Sequence, residues 1–247
     1  MVHLEENSEW FETWFDSSYY HLLYNNRDEN EAADFLALLT NHLALPLDKH
    51  VLDLACGAGR HSRVLAQLGY TVSGCDLSKN SIAQATKLAQ TGGDFFVHDM
   101  REPLPKKYDA IFNLFTSFGY FDHLSDNLKV LNSVINALED DGVFVLDFMN
   151  ATKVIAQLNP AETIQRGEIE FNITRKVSNQ RIVKSIDFEA DNRTFHFEEK
   201  VQALHLTDFE TLFSQAGLQL ISTFGSYDLA PYSATDSDRL ILIGQKA

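Results

Sequence analysis

The chain of 247 residues has few basic side chains: 20 Lys and Arg stand against 35 Asp and Glu, a formal net charge of -15. Nucleic acids and anionic membranes are bound through basic patches, so this balance argues against both as partners. An excess of carboxylates is typical of a solvated surface. Hydrophobic residues make up 45% of the chain, which is enough for the core of one large domain.

Cysteine is also scarce, since only Cys56 and Cys75 occur. Both lie in apolar contexts at the ends of predicted neighbouring strands, which favours reduced core thiols over a disulfide. No Cys/His cluster has the spacing of a metal site, so no metal is expected. No apolar run approaches the roughly 20 residues of a membrane span, and the aromatic, acidic start differs from a signal peptide. We therefore expect a soluble, cytoplasmic protein.

Aromatic residues are concentrated near the N-terminus, between Glu9 and Tyr24. Their helical spacing predicts an amphipathic helix that packs on the body of the protein. The alternative is a lid over a pocket, with polar tips from Tyr19, Tyr20, Tyr24 and Arg27. A second helix is predicted over 29–45, before Pro46, so that residues 1–45 form an N-terminal helical cap.

From Lys49 the pattern alternates between strand and helix, which predicts a parallel sheet with right-handed crossovers. The strands are predicted at 50–55, 70–75, 94–98, 109–114 and 142–148, and the helices at 59–68, 79–90 and 125–138. An antiparallel β insert at 164–205 follows, with three strands at about 165–177, 181–189 and 194–204. A helix ending at Gly217 and strands at 218–224 and 239–245 complete a single domain, 1–247.

The centre of this pattern is the stretch Val51–Arg60, a buried strand followed by a glycine turn and a helix. Gly57 and Gly59 allow a tight turn and a close approach of a ligand, and the helix N-terminus presents free N–H groups. A dinucleotide-binding turn would have a third glycine, but Ser62 stands at that position. Asp53 would repel a pyrophosphate and suits a cationic ligand instead.

Two further carboxylates end neighbouring strands. Asp76 is placed to accept the two hydroxyls of a ribose, and Asp99 is placed to accept from an exocyclic amine such as that of adenine. Leu77 and Met100 follow them and form an apolar slot for a base. The carboxyl ends of parallel strands are the expected ligand edge of such a sheet. This set predicts a phosphate-free nucleoside ligand with a positive charge.

The motifs Asp53–Gly59, Val72–Asp76 and Val97–Met100 resemble those of the class I S-adenosylmethionine-dependent methyltransferases. The resemblance implies a Rossmann-like, seven-stranded, mostly parallel sheet with a reversed last strand, and S-adenosyl-L-methionine as cofactor. It implies that Asp76 holds the ribose and that Asp99 meets the adenine amine. The methionine part would lie against Asp53 and the turn residues Ala55, Cys56, Gly57 and Gly59. Ala55 departs from the family, where glycine is frequent.

The segment Tyr108–Phe121 is similar to the fourth-strand region of small-molecule members of that family. The resemblance makes Asn113, Phe115, Thr116 and Phe118 candidates for cofactor and substrate contact, the alternative being simple core packing. Arg27, with Tyr19 and Tyr20, is a candidate for the methionine carboxylate, and a plain surface arginine is the alternative. Tyr232 lies in a loop that would line the pocket from the other side.

The sequence thus predicts a methyltransferase with a small-molecule acceptor, an amine among the candidates. The alternatives are an NAD(P)-dependent oxidoreductase and a non-catalytic, nucleoside-binding regulatory protein of the same fold. No residue has a spacing that identifies a general base. Five candidates fall in predicted loops or strand ends near the pocket mouth: His98, His123, Tyr20, Asp147 and Tyr232. The β insert is expected either to roof the pocket or to form the contact of a homodimer.

Overall fold

The computed structural model describes residues 9–24, 29–89 and 93–247. Its helices are α1 Trp10–Phe15, α2 Ser18–Leu23, α3 Glu29–His42, α4 Arg60–Gln67, α5 Lys79–Leu88, α6 Leu124–Ala137, α7 Ala151–Ala156 and α8 Leu206–Ala216. Its strands are β1 His50–Leu54, β2 Thr71–Asp76, β3 Asp94–Val97, β4 Tyr108–Asn113, β5 Leu138–Met149, β6 Ala161–Arg166, β7 Ile169–Ser178, β8 Arg181–Ala190, β9 Arg193–Gln202, β10 Leu218–Phe224 and β11 Arg239–Lys246.

Seven strands form the main sheet in the order β10-β11-β5-β4-β1-β2-β3. The five strands from β5 to β3 run parallel, and β11 pairs antiparallel with both β5 and β10. The predicted Rossmann-like sheet with a reversed last strand is therefore confirmed. No helix among the described residues is long and apolar enough to span a membrane.

Both faces of the sheet are covered, which explains the nearly continuous apolar runs of its strands. On one face Leu52 and Ile111 pack in a cluster with residues of α6 and α8. On the other face Val51 and Phe112 pack in a cluster with residues of α3 and α4. Because successive side chains of a strand point to opposite faces, each central strand contributes to both clusters.

The parallel register brings the ends of four strands to one edge. Leu54 of β1 pairs with Cys75 of β2, and Asp76 pairs with Val97 of β3. On the other side of β1, Asp53 pairs with Phe112 of β4. The residues that follow these strands therefore meet where open α/β sheets bind their ligands.

The β insert has four antiparallel strands, in the order β6-β7-β8-β9, rather than the three expected. The predicted strand 165–177 is divided at Gly167, which has a φ of 58° and begins a two-residue turn between Arg166 and Ile169. A left-handed glycine suits such a hairpin turn. The other two turns were predicted correctly: their residues, 179–180 and 191–192, also have positive φ.

The inner face of the insert packs against α1 and α2. One oxygen of Glu199, Oε1, accepts hydrogen bonds from the Trp14 Nε1–H (2.8 Å) and from the Tyr24 hydroxyl (2.6 Å). The Lys184 ammonium lies 3.6 Å from the same carboxylate, and burial lowers the pKa of this lysine. Around these groups lies an apolar cluster of Trp14, Leu23, Phe171, Ile173, Ile186 and Phe188. Helices α1 and α2 and the insert thus form one layer, whereas α3 packs on the main sheet.

We expect Glu199→Ala to lower the free energy of unfolding by about 3–5 kcal/mol, because the buried Lys184 ammonium loses its counter-charge. The matched control is Glu198→Ala at the next residue, whose carboxylate pairs with Lys200 (2.8 Å) on the more exposed side. That change should cost below about 1 kcal/mol. Urea unfolding of both variants checks the prediction, and equal losses would contradict it.

Candidate active site

A cavity of about 420 Å³ lies at the carboxyl edge of the sheet, between the glycine turn and the N-terminal helices. It is walled by α1 and α2, by the turn after β1, by the ends of β2 and β3, and by the loop after β4. The sequence-predicted site residues that line it are Tyr20, Ala55, Cys56, Gly57, Asp76, Leu77, Asp99, Met100 and Phe115.

The glycine turn has three residues in the left-handed conformation: Ala55 (φ 61°), Gly57 (φ 55°) and Gly59 (φ 76°). A Cβ at Gly57 would meet nothing within 4 Å, so that position opens into the cavity. A Cβ at Gly59 would lie 3.1 Å from the Ala85 Cβ on α5, so this glycine serves close packing instead. The left-handed backbone at Ala55 explains why glycine is frequent there, because a side chain costs about 1–2 kcal/mol in that conformation.

Asp76 joins the turn to the end of β2. Its Oδ2 accepts the Gly57 N–H (2.8 Å), and its Oδ1 accepts the Ser78 N–H (2.8 Å). Burial raises the pKa of the Asp76 carboxyl, and these hydrogen bonds oppose the rise. A carboxylate has about four acceptor positions, so two remain for a pair of hydroxyl donors.

Asp99 is held by Arg101, a residue that the sequence reasoning missed. The Arg101 Nη2 donates to Asp99 Oδ2 (2.6 Å), and the Arg101 N–H donates to Oδ1 (2.9 Å). The same guanidinium donates to Glu9 Oε2 (2.6 Å) and lies 5.0 Å from the Phe121 ring centroid. Burial acts to raise the pKa of the Asp99 carboxyl, but Arg101 outweighs it and holds the pKa below its ordinary value. The Asp-x-Arg spacing was the available signal.

Asp53 requires a correction, because its carboxylate does not line the cavity. The side chain is buried (1% exposed) beneath the turn, and its Oδ2 accepts the Ser62 hydroxyl (2.6 Å). Ser62, at the position of the missing third glycine, thereby ties the first turn of α4 to β1. Burial raises the pKa of Asp53 to about 6.

Three candidates at the end of β4 and in the loop after it also lie outside the cavity. Asn113 is fully buried and donates from Nδ2 to the Leu54 carbonyl (2.9 Å), which joins the ends of β4 and β1. Thr116 Oγ1 accepts from Arg239 Nη2 (3.0 Å). Phe118 is fully buried, with its ring centroid 5.8 Å from that of Phe209, so core packing decides its place. Of the four candidates in this segment, Phe115 alone lines the cavity.

The remaining candidates divide in the same way. Tyr20 lines the cavity, whereas the adjacent Tyr19 donates to Asp191 on the insert (2.9 Å). Tyr232 is directed to Asn150 (3.4 Å) and does not line the cavity. Arg27 lies outside the described residues. In the described part of the chain, no group of three or more His, Cys, Asp or Glu side chains is arranged to hold a metal ion.

Sequence reasoning missed several residues of the cavity wall. Arg60, the first residue of α4, has its guanidinium 5.1 Å from the Phe115 ring centroid. Its position directly after Gly59 was the available signal. The aromatic residues among those missed are Phe11, Phe15, Tyr120 and Phe121, and the two histidines are His21 and His61.

Comparison with known proteins agrees with this geometry. Residues 47–217, more than half of the chain, match the family described as a methyltransferase domain. A Bacillus subtilis (strain 168) protein named as a methyltransferase, YqeM, is 27% identical over 225 residues, covering 83% of this chain and 87% of that protein. The glycine/sarcosine N-methyltransferase of Parasynechococcus marenigrum (strain WH8102) is 24% identical over 216 residues, covering 83% and 73%.

The fold is shared with solved structures. An S-adenosylmethionine-dependent methyltransferase from Clostridium acetobutylicum ATCC 824 superposes with a TM-score of 0.79 at 20% identity, covering 93% of this chain and 96% of that one. The chain is therefore an α/β protein of the methyltransferase fold. It belongs to the class I S-adenosylmethionine-dependent methyltransferases, which confirms the resemblance seen in its sequence. The nicotinamide-dependent alternative is set aside.

The described residues fit the cofactor of this family, S-adenosylmethionine. Asp76 keeps two acceptor positions for the ribose hydroxyls, and Leu77 and Met100 line the same region for the base. The open space at Gly57 leaves room for the amino-acid part against the turn. These contacts with the cofactor remain predictions for each residue.

We expect Asp76→Ala to weaken the binding of S-adenosylhomocysteine by at least about 1–3 kcal/mol, because the ribose hydroxyls lose a charged acceptor. Isothermal titration calorimetry measures the change. Asp94→Ala, at the opposite end of the neighbouring strand β3, is the control and should bind as the wild type does. An unchanged affinity of a folded Asp76→Ala protein would count against the ribose assignment.

The raised pKa of Asp53 predicts a pH dependence of stability. The carboxyl ionises near 3.8 in the unfolded chain and near 6 in the folded protein. Between these values the folded state binds the proton more tightly, so this stabilisation is complete below the unfolded pKa and is lost as the pH rises through 6. Relative to Asp53→Asn, the wild type should lose unfolding free energy by at most about 1.4 kcal/mol per pH unit in this window.

Urea unfolding without cofactor, from about pH 4 to pH 7, measures this difference. Asp94→Asn is the control, since Lys106 lowers the pKa of Asp94 and its own pH dependence lies at more acid values. A difference between wild type and Asp53→Asn that stays constant across the window would show that Asp53 ionises normally.

Proposed function

We propose that the chain methylates a nitrogen atom of a small organic amine. The observation that carries the proposal is an aromatic wall of the cavity, formed by Phe15, Tyr20, Tyr24 and Tyr120. Neighbouring ring centroids in this wall lie 4.9 to 5.2 Å apart. Aromatic faces attract ammonium and sulfonium cations and keep water away from them.

The charges around the cavity also favour a cationic ligand. The described lining residues carry four carboxylates, those of Glu12, Glu29, Asp76 and Asp99, and one guanidinium, that of Arg60. Two of the carboxylates pair with arginines outside the lining: Glu29 with Arg63 (2.5 Å) and Asp99 with Arg101 (2.6 Å). The balance that remains is negative, which favours a cation over a phosphate or carboxylate. The N-methyltransferase named among the relatives supports a nitrogen acceptor.

Bound S-adenosylmethionine supplies an electrophilic methyl carbon on a sulfonium. The chain contributes alignment and the exclusion of water. An amine nitrogen held behind this carbon would form the new N–C bond as the C–S bond breaks, and the electrons of that bond would remain on sulfur. The methylated ammonium would then release one proton, for which no described residue is singled out as the acceptor.

A small acceptor fits the way the cavity is covered. At the C-terminal end of α1, Asp16 Oδ1 accepts the Ser78 hydroxyl (2.6 Å) and the Asn80 N–H (2.9 Å). Before α1, Glu9 pairs with Arg101 (2.6 Å). The N-terminal helices are thus held across the cavity from two sides, which leaves little room for nucleic acid or a membrane surface.

The β insert has one face covered by other parts of the same chain. Because α1 and α2 of the same chain cover the inner face of the insert, we favour support of these helices over a dimer contact as the role of this face. A homodimer would use another surface.

Cys56 and Cys75 are both free and buried, and burial raises the pKa of both thiols. Reduced thiols are consistent with a cytoplasmic location.

The proposal predicts the choice among acceptors of matched size. We expect benzylamine to be methylated, with a rate that rises with pH as the neutral amine forms, and benzyl alcohol and benzoate to be left unchanged. Mass spectrometry of the products and measurement of the S-adenosylhomocysteine released check this. Methylation confined to the alcohol or the carboxylate would overturn the proposal.

The two adjacent tyrosines of α2 provide a matched pair of variants. Tyr20→Leu removes a ring of the aromatic wall. It should raise the KM for the amine about tenfold, because a cation–π contact is lost. Tyr19→Leu removes a ring that lies outside the cavity and should leave this KM unchanged. Equal effects of both variants would indicate a general loss of packing.

A further inference from the structure

The loop after β4 contains two consecutive residues with left-handed backbone that are not glycine. Phe115 has a φ of 62° and Thr116 a φ of 60°. Both side chains are unfavourable in this conformation, and the β-branched Thr116 especially so. Strained residues of this kind persist only where their surroundings hold them, and they cluster at functional sites.

The hydrogen bonds that hold this loop converge on Asp147 of β5, which is 1% exposed. Its Oδ2 accepts the Phe115 N–H (2.8 Å), and its backbone carbonyl accepts the Thr116 N–H (2.9 Å). Both strained residues thus donate a backbone hydrogen bond to Asp147. Tyr227 also donates to Oδ2 (3.1 Å).

Arg239 of β11 completes the arrangement. Its Nε donates to Asp147 Oδ1 (2.7 Å), and its Nη2 donates to Thr116 Oγ1 (3.0 Å). Its guanidinium lies 5.8 Å from the Phe115 ring centroid. Burial disfavours the charge of this arginine, but Asp147 outweighs that effect and the pKa of Arg239 is raised. Neither Asp147 nor Arg239 lines the cavity.

Phe115, the residue held by these contacts, forms part of the cavity wall. Arg60, at the start of α4, lies 5.1 Å from the Phe115 ring centroid. β4 lies on the side of β1 opposite to β2 and β3. Phe115 therefore borders the amino-acid end of the cofactor site, away from Asp76 and Asp99.

We infer that Asp147 and Arg239 are positioning residues, which hold Phe115 in a strained conformation as the wall of the amino-acid end of the cofactor site. They act through the Phe115–Thr116 backbone and not through contact with a ligand. The inference does not depend on the class of the methyl acceptor.

The test compares two ligands on each variant, S-adenosylhomocysteine and adenosine, by titration calorimetry and competition. Adenosine reaches only the region of Asp76 and Asp99, whereas S-adenosylhomocysteine extends to Phe115. We expect Asp147→Asn to raise the Kd of S-adenosylhomocysteine about tenfold or more, as for the loss of charge-assisted hydrogen bonds. The Kd of adenosine should stay within about twofold, because its contacts are separate.

The matched control is Asp238→Asn, which removes a carboxylate beside Arg239. Asp238 pairs with Lys153 at the surface (2.6 Å), and its side chain is 78% exposed. Both ligands should bind this variant as they bind the wild type. A second variant, Arg239→Lys, keeps the positive charge and loses the bond to Thr116 Oγ1; it should weaken S-adenosylhomocysteine alone, by about threefold or more.

A double variant separates positioning from stability. Glycine accepts left-handed backbone without strain, so adding Thr116→Gly to Asp147→Asn should raise the melting temperature toward that of the wild type. It should not restore the affinity for S-adenosylhomocysteine, because the Phe115 N–H then still lacks its carboxylate acceptor. Recovery of that affinity with stability, equal weakening of both ligands in Asp147→Asn and Arg239→Lys, or unchanged binding in both would each overturn the inference.

Discussion

The hydrogen bond from the Gly57 N–H to the Asp76 carboxylate (2.8 Å) joins the two features on which the site depends, the glycine turn after β1 and the acidic end of β2. It forms only because the two strands run parallel and in register, with Leu54 beside Cys75. The bond consumes one acceptor position of Asp76 and leaves others open to the cavity. A single contact thus shapes the turn and orients the carboxylate predicted to hold the ribose.

Three buried or partly buried carboxylates join neighbouring structural elements around this hydrogen bond. Asp53 ties α4 to β1 through Ser62, Glu199 ties the N-terminal helices to the insert, and Asp147 ties the loop after β4 to β5 and β11. Each accepts hydrogen bonds from more than one element or closes a turn, and none lines the cavity. A buried carboxylate is tolerated when its acceptor positions are filled in this way. The ligand-facing carboxylates, Asp76 and Asp99, differ in opening toward the cavity.

The cavity consequently has two parts of different origin. The edge of the main sheet supplies the nucleoside side, and its parts are short-range features of a Rossmann-like fold. The N-terminal helices, supported by the insert, supply the aromatic side. Trp14 and Glu199 are 185 residues apart in the chain, so this side exists only in the folded protein.

The sequence by itself determined the sheet, the glycine turn and the positions of Asp76, Leu77, Asp99 and Met100 at the cavity. The parallel strands and the turn follow from hydrophobic periodicity and local turn chemistry, which act over a few residues. The reversed last strand was implied by the resemblance to the methyltransferase family. Tertiary structure alone decided that Asp53 lies beneath the turn, that Phe118 belongs to the core, and that strand 165–177 is divided at Gly167. The direction of a side chain beyond a turn depends on backbone angles that no period reveals. Tertiary structure also decided the pairing of Asp147 with Arg239, 92 residues apart, because such a bond depends on which strands become neighbours.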